Sequence, residues 1–160
     1  MSKSVVLYHF SSRDQLMEAV VEQLYGDAVQ PIHAAVDAAR GARERVLAYT
    51  RACVEFVAAH RAEARAVQEV ARNLRRPDGT PRYTALDGAA VMSYPRELLE
   101  AGQRSGELGG FDPWTLAVLL RAGIDGLAEQ FTADPGVDAA GVADHLVTLV
   151  DKMITPEEKA

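Results

Sequence analysis

The 160-residue chain has one cysteine, one tryptophan and four histidines. A lone Cys53 excludes an internal disulfide framework, and His9, His33, His60 and His145 are too scattered to show metal-ligand spacing, so neither a metal nor another cofactor is expected. Apolar runs are short as well. Arg, Asp or Glu interrupts each of them well before the roughly 18 residues that a membrane span needs, and residues 1–15 contain no apolar signal-peptide core. A cytoplasmic chain without membrane attachment is the expectation. There is no Gly-rich phosphate loop, no Gly-x-Ser-x-Gly and no His-Glu-x-x-His, so no catalytic constellation is visible and the reading points away from an enzyme. Internal repeats and low-complexity tracts are also missing.

What is present is alanine, at 27 residues against 12 Gly and 7 Pro, with aromatics at only 6%. That balance favours packed helices over a sheet built from β-branched and aromatic residues, and predicts an all-α fold. Hydrophobic residues at 48% and charged residues at 25% are those of a folding chain of one domain's size. The net charge of −6 is unevenly spread: residues 40–76 hold nine Arg against four Glu, whereas residues 77–160 hold six basic against fourteen acidic groups. Overall acidity opposes non-specific nucleic-acid affinity, so any DNA contact must be local.

Periodicity marks the helices. Ser12 and Gln15 fit a capping box, followed by an apolar stripe through Leu16, Val20, Leu24 and Ala28. Pro31 is expected to kink or divide this segment before a stop near Gly41. Residues 42–60 place Val46, Tyr49, Cys53, Phe56, Val57 and His60 on one face, and residues 63–75 turn Val67, Val70, Ala71 and Leu74 inward. Pro77 to Pro81 reads as a loop, followed by a helix from about Tyr83 to Arg104, bent at Pro95. Asp112-Pro113 opens a helix to about Phe131, and Asp138 caps a last one with Val142, Leu146, Leu149, Val150 and Met153 on its apolar face.

Residues 2–16, Ser-Lys-Ser-Val-Val-Leu-Tyr-His-Phe-Ser-Ser-Arg-Asp-Gln-Leu, closely resemble the end of the helix-turn-helix in TetR/AcrR-type transcriptional regulators. In that family a recognition helix ends in a Tyr-His-Phe-like cluster before the next helix starts. Gly106-Glu107-Leu108, Asp112-Pro113 and Ala122 to Leu127 resemble the lead-in and body of the family's penultimate helix, more loosely. The resemblance implies a remnant of the DNA-binding domain over residues 1–11, a ligand-binding and dimerisation domain over 12–156 and a charged tail over 157–160. It also implies DNA contacts from Ser2, Lys3, Ser4, Tyr8, His9, Ser12 and Arg13. Their chemistry agrees, because short polar and basic groups suit base edges and phosphates near a helix start. Leu7 departs from a frequent Tyr, which removes one phosphate contact.

Such regulators carry two further helices before the recognition helix, roughly 30–40 residues at ordinary helix and loop lengths. Met1 stands where the family commonly has Val, so a start assigned at a GTG codon, or a cut at that point, is expected, and DNA binding by this chain alone is doubtful.

The resemblance places an effector pocket inside the helical domain, with Tyr49, Cys53, Phe56, Met92 and Tyr94 as wall candidates. From the residues alone Tyr49 and Phe56 either line a cavity or fill a core, and core packing suits Cys53 better. With few polar handles, a small lipophilic or aromatic effector is expected. The Arg residues of 40–76 read as solvated helix faces, with pairs such as Arg65 and Glu69 in reach, and Arg121 and Asp125 read either as an interface ion pair or as polar groups facing a ligand. Two helices with wide apolar sides predict a homodimer through Leu116, Leu119, Leu120, Gly123, Leu127 and Phe131 of one and Leu146, Leu149, Val150 and Met153 of the other. The expected function is a ligand-responsive regulator, a repressor of operator DNA in its full-length form. The alternative is a helical dimerisation or ligand-sequestering module that does not bind DNA.

Overall fold

A computed structural model describes residues 10–83 and 89–156, with the side chains of 89 and 90 excluded. Among the described residues the chain is all-α: α1 (Arg13–Ala38), α2 (Ala42–Ala59), α3 (Arg61–Asn73), α4 (Ala89–Ser105), α5 (Pro113–Ala133) and α6 (Ala139–Ile154). Arg75 and Pro81 form an isolated bridge across the loop after α3.

The helix starts follow the capping residues. Ser12 accepts from the Gln15 amide at 3.1 Å, Asp112 from the Thr115 amide at 2.7 Å and Asp138 from the Gly141 amide at 3.1 Å, each supplying an acceptor that the first turn lacks. The reciprocal half of the first box differs from expectation, since the Gln15 side chain accepts from the amide of Ser11, not of Ser12.

Pro31 does not divide α1, which continues for 26 residues. Pro31 and Asp27, whose carbonyl loses its helical donor, are both exposed, so water can satisfy that carbonyl. Ala71, expected inward, is exposed, and Ala64 takes its place beside Val67, Val70 and Leu74 in the buried face of α3.

α2 touches all five other helices and is the axis of the fold. At its N-terminal end Val46 packs with Leu99, Leu116, Leu120, Val150 and Ile154. Further along, Tyr49, Cys53 and Val54 meet Val36, Ile124, Phe131 and Ala143. A separate cluster joins Val21 and Leu24 of α1 to α3 and to Ala128 of α5. Phe131, Leu99, Ile154 and Val54 are completely buried, each worth about 1.5–3 kcal/mol of apolar transfer.

Candidate functional site

Between these clusters the helices leave a cavity of about 400 Å³. α1 contributes Leu24, Tyr25, Ala28, Val29, Ile32 and His33, and α2 adds Tyr49, Cys53, Phe56 and Val57. Ala64, Val67 and Gln68 of α3, Val91 and Tyr94 of α4, and Arg121, Ile124, Asp125 and Ala128 of α5 complete its lining. Alanines at positions 28, 64 and 128, on α1, α3 and α5, take up little of this space. Pro95 lies within α4, and Val91, whose carbonyl loses its helical donor to that ring, is part of the wall.

The aromatic residues are mutually arranged. Tyr94 stacks on His33 with ring centroids 4.1 Å apart and planes 9° from parallel, and it meets Tyr49 edge-on at 6.0 Å. Phe56 stacks on His60, whose Nδ1 lies 2.9 Å from the Phe56 carbonyl oxygen. Burial raises the pKa of the Tyr49 phenol, and neighbouring Cys53 adds to the shift. Burial also pushes the Cys53 thiol up to about 11, against a hydrogen bond with Tyr49 that lowers it. Both groups are therefore neutral near pH 7, as an apolar cavity requires.

One end of the cavity is charged. Arg121 Nε donates to Asp125 Oδ2 at 2.8 Å, another of its nitrogens donates to the Tyr25 hydroxyl, and its guanidinium carbon lies 5.2 Å from the Tyr25 ring centre. Burial opposes the charge of Arg121, but Tyr25 and Asp125 outweigh it and keep its pKa above the ordinary arginine value. Gln68 donates to the Asp125 backbone carbonyl at 2.9 Å, tying α3 to the same spot.

Of the five wall candidates, Tyr49, Cys53, Phe56 and Tyr94 line the cavity. Met92 is buried but outside it, because on α4 it lies two residues from Tyr94 and hence on a different side of the helix. Arg121 and Asp125 form the pair that their spacing allows and also line the cavity. Tyr25, His33 and Gln68 went unrecognised as site residues in the sequence, although Tyr25 follows Leu24 of the apolar stripe. Glu69, a suggested partner of Arg65, accepts from the Asn73 side chain.

Ser2, Lys3, Ser4, Tyr8 and His9 lie outside the described residues. Ser12 is the cap of α1 and Arg13 is exposed at its start. The ten candidate interface residues separate into two groups. Leu116, Leu120, Phe131 and Val150 are buried in the chain's own core, and Leu127 and Leu146 pack partly against it. Leu119, Gly123, Leu149 and Met153 are exposed. Trp114 and Val118, exposed at 39% and 38%, extend the outward apolar side of α5.

No group of His, Cys, Asp and Glu among the described residues is arranged to hold a metal ion, and none of the described helices is long and apolar enough to cross a membrane.

Comparison with known proteins gives no matching family model and no matching curated protein. Solved structures do match. A bacterial regulatory protein in the tetR family from Rhodococcus RHA1 superposes with a TM-score of 0.80 at 22% identity, over 99% of this chain and 82% of that one. A protein of unknown function from Rhodococcus sp. RHA1 gives 0.72 at 22% identity, over 92% and 77%. The ketosteroid transcriptional regulator KstR2 of Mycobacterium tuberculosis gives 0.72 at 19% identity, over 98% and 80%. The chain therefore has the helical fold found in tetR-family regulators.

Proposed function

We propose that the protein is a TetR-type transcriptional regulator that releases operator DNA when a small lipophilic molecule occupies the cavity. The observation that carries this reading is a cavity of about 400 Å³ walled mostly by apolar and aromatic side chains within a fold shared with tetR-family regulators. A mostly apolar space of that size suits a ligand of about two to four fused rings. The ketosteroid regulator among the similar structures makes polycyclic compounds a natural first panel.

In this reading Ser2, Lys3, Ser4, Tyr8, His9, Ser12 and Arg13 serve DNA contact at the N-terminal side, and two copies associate through α5 and α6. The cavity is lined by both α1, which would follow the DNA-contacting segment in this reading, and α5, which would carry the interface. A ligand that binds better to one spacing of these helices shifts the population of DNA-competent dimers by its difference in affinity.

Deleting the gene in its host tests the regulator reading. Transcripts of a small set of genes should change, and adding the effector to the wild type should produce the same change. An unaltered transcript profile would overturn the reading in favour of a ligand-sequestering module.

A further inference from the structure

At the charged end of the cavity two hydrogen-bond donors have no acceptor among the described residues. Arg121 uses Nε for Asp125 and one terminal nitrogen for Tyr25, while its Nη1 meets no acceptor among the described residues. The Tyr25 oxygen accepts from Arg121, which leaves the phenolic proton without an acceptor among the described residues. Both residues line the cavity, so two donors from different helices are available to its contents.

The charges at this end are already balanced. Asp125 supplies one anion for the Arg121 cation, and among the described residues its carboxylate is the only one in the cavity wall. A ligand carboxylate would be a second anion for the same cation, with mostly apolar side chains around it to replace its hydration. An uncharged carbonyl oxygen has two lone pairs and no such penalty, so it can take both donors at once. Elsewhere in the wall, Tyr94 stacked on His33 and Phe56 stacked on His60 add aromatic surface.

Building on the cavity as effector site, we propose that the ligand is an uncharged ring compound whose ketone-type oxygen accepts hydrogen bonds from Arg121 Nη1 and the Tyr25 hydroxyl. The donors set specificity, and the apolar wall supplies most of the affinity.

Three fluorescent naphthalenes test this: the neutral ketone prodan, dimethylaminonaphthalene without the acyl group, and dimethylaminonaphthoic acid with a carboxylate in its place. Titrated into the full chain, the ketone should bind about tenfold or more tighter than the parent amine, as expected for a bond from a charged donor. It should also bind more tightly than the acid. Arg121→Met and, separately, Tyr25→Phe should each reduce the ketone's advantage while leaving the parent's affinity within about twofold of the wild type. Tyr25→Phe keeps the ring and the fold, so the test survives if Arg121→Met is poorly folded. Equal binding of ketone and parent overturns the donor assignment, and tightest binding of the acid replaces it with charge pairing. If none of the three binds, the effector cavity itself is refuted, and this proposal with it.

Discussion

The carboxylate of Glu107 sits over the first turn of α2, where its Oε2 accepts from the amides of Ala42 at 2.8 Å and Arg43 at 3.3 Å. Gly41, the N-cap of α2, has no side chain to do this, so the turn between α4 and α5 caps the central helix. The anion also faces the positive end of the helix dipole. Gly41 adopts φ 86°, and a Cβ placed there would stand 2.7 Å from the same Glu107 oxygen. The corner is therefore specified twice, by a backbone conformation that favours glycine and by space that a methyl group would take.

Glu107→Ala should lower the unfolding free energy by about 1 kcal/mol, the usual cost of a lost cap. Gly41→Ala should cost about 1–2 kcal/mol, because it combines positive φ with displacement of the carboxylate. Urea denaturation measures both. Neither residue lines the cavity, so prodan affinity should be unchanged in each.

The α2 pair Tyr49 and Cys53 makes stability depend on alkaline pH. In the unfolded chain a thiol ionises near 9.0, whereas in the fold Cys53 holds its proton up to about 11. The folded state thus binds more protons between these values, and stability present below pH 9 is lost as the pH rises through 11. Tyr49 shifts in the same direction. Urea midpoints should fall between pH 8.5 and 10.5, an interval of about two pH units chosen to span the thiol's titration. Cys53→Ala should flatten the fall, and an equal slope in that variant would show that other groups carry it.

Filling the cavity separates binding from stability. Ala28 of α1 is a small residue in the wall, and Ala28→Leu adds apolar atoms to empty space. It should change stability by less than about 1 kcal/mol while abolishing prodan binding. Leu99→Ala, fully buried in the cluster that excludes the cavity, should cost about 2–5 kcal/mol and leave binding intact. Phe56→Ala, half-buried against the cavity, should weaken binding at a smaller stability cost than Leu99→Ala. Fluorescence titration and urea curves on the three variants check the pattern.

The helices were legible wherever a cap preceded an apolar stripe, as at Ser12, Asp112 and Asp138. Pro31 does not divide the first helix, which runs on through it; Pro31 and Asp27, whose carbonyl loses its donor, are both exposed, so water can replace that bond, and exposure is not written in local sequence. The α2 side of the cavity could be read from Tyr49, Cys53 and Phe56, since helical spacing puts them on one face. At the charged end, Arg121 and Asp125 could be read as a pair from their spacing, but Tyr25 could not be joined to them, because it is distant in sequence and its hydroxyl meets Arg121 only in the folded chain. The same limit applies to α5, where periodicity shows an apolar helix but only packing reveals which apolar residues face inward.

That division makes the dimer testable at single residues. Leu116, Leu120 and Phe131 are used inside the chain, so an interface must rest on what α5 and α6 leave outside: Val118, Leu119, Leu149 and Met153, with exposures from 38% to 57%. Single exposed apolar residues are ordinary, but four large ones on two helices that both pack on α2 leave considerable apolar area in water. Gly123 and Gly126 lie on the exposed side of α5, and a Cβ built at either meets nothing within 4 Å. Gly123→Arg is therefore compatible with the fold of one chain, yet it places a long cation where a helix of a second copy would approach most closely. The unmutated chain should run as a dimer on a sizing column with light scattering. Gly123→Arg and Leu149→Glu should each shift it to monomer, with helical circular dichroism retained. A well-folded monomer of the unmutated chain at micromolar concentration would show that this surface is not a self-association face.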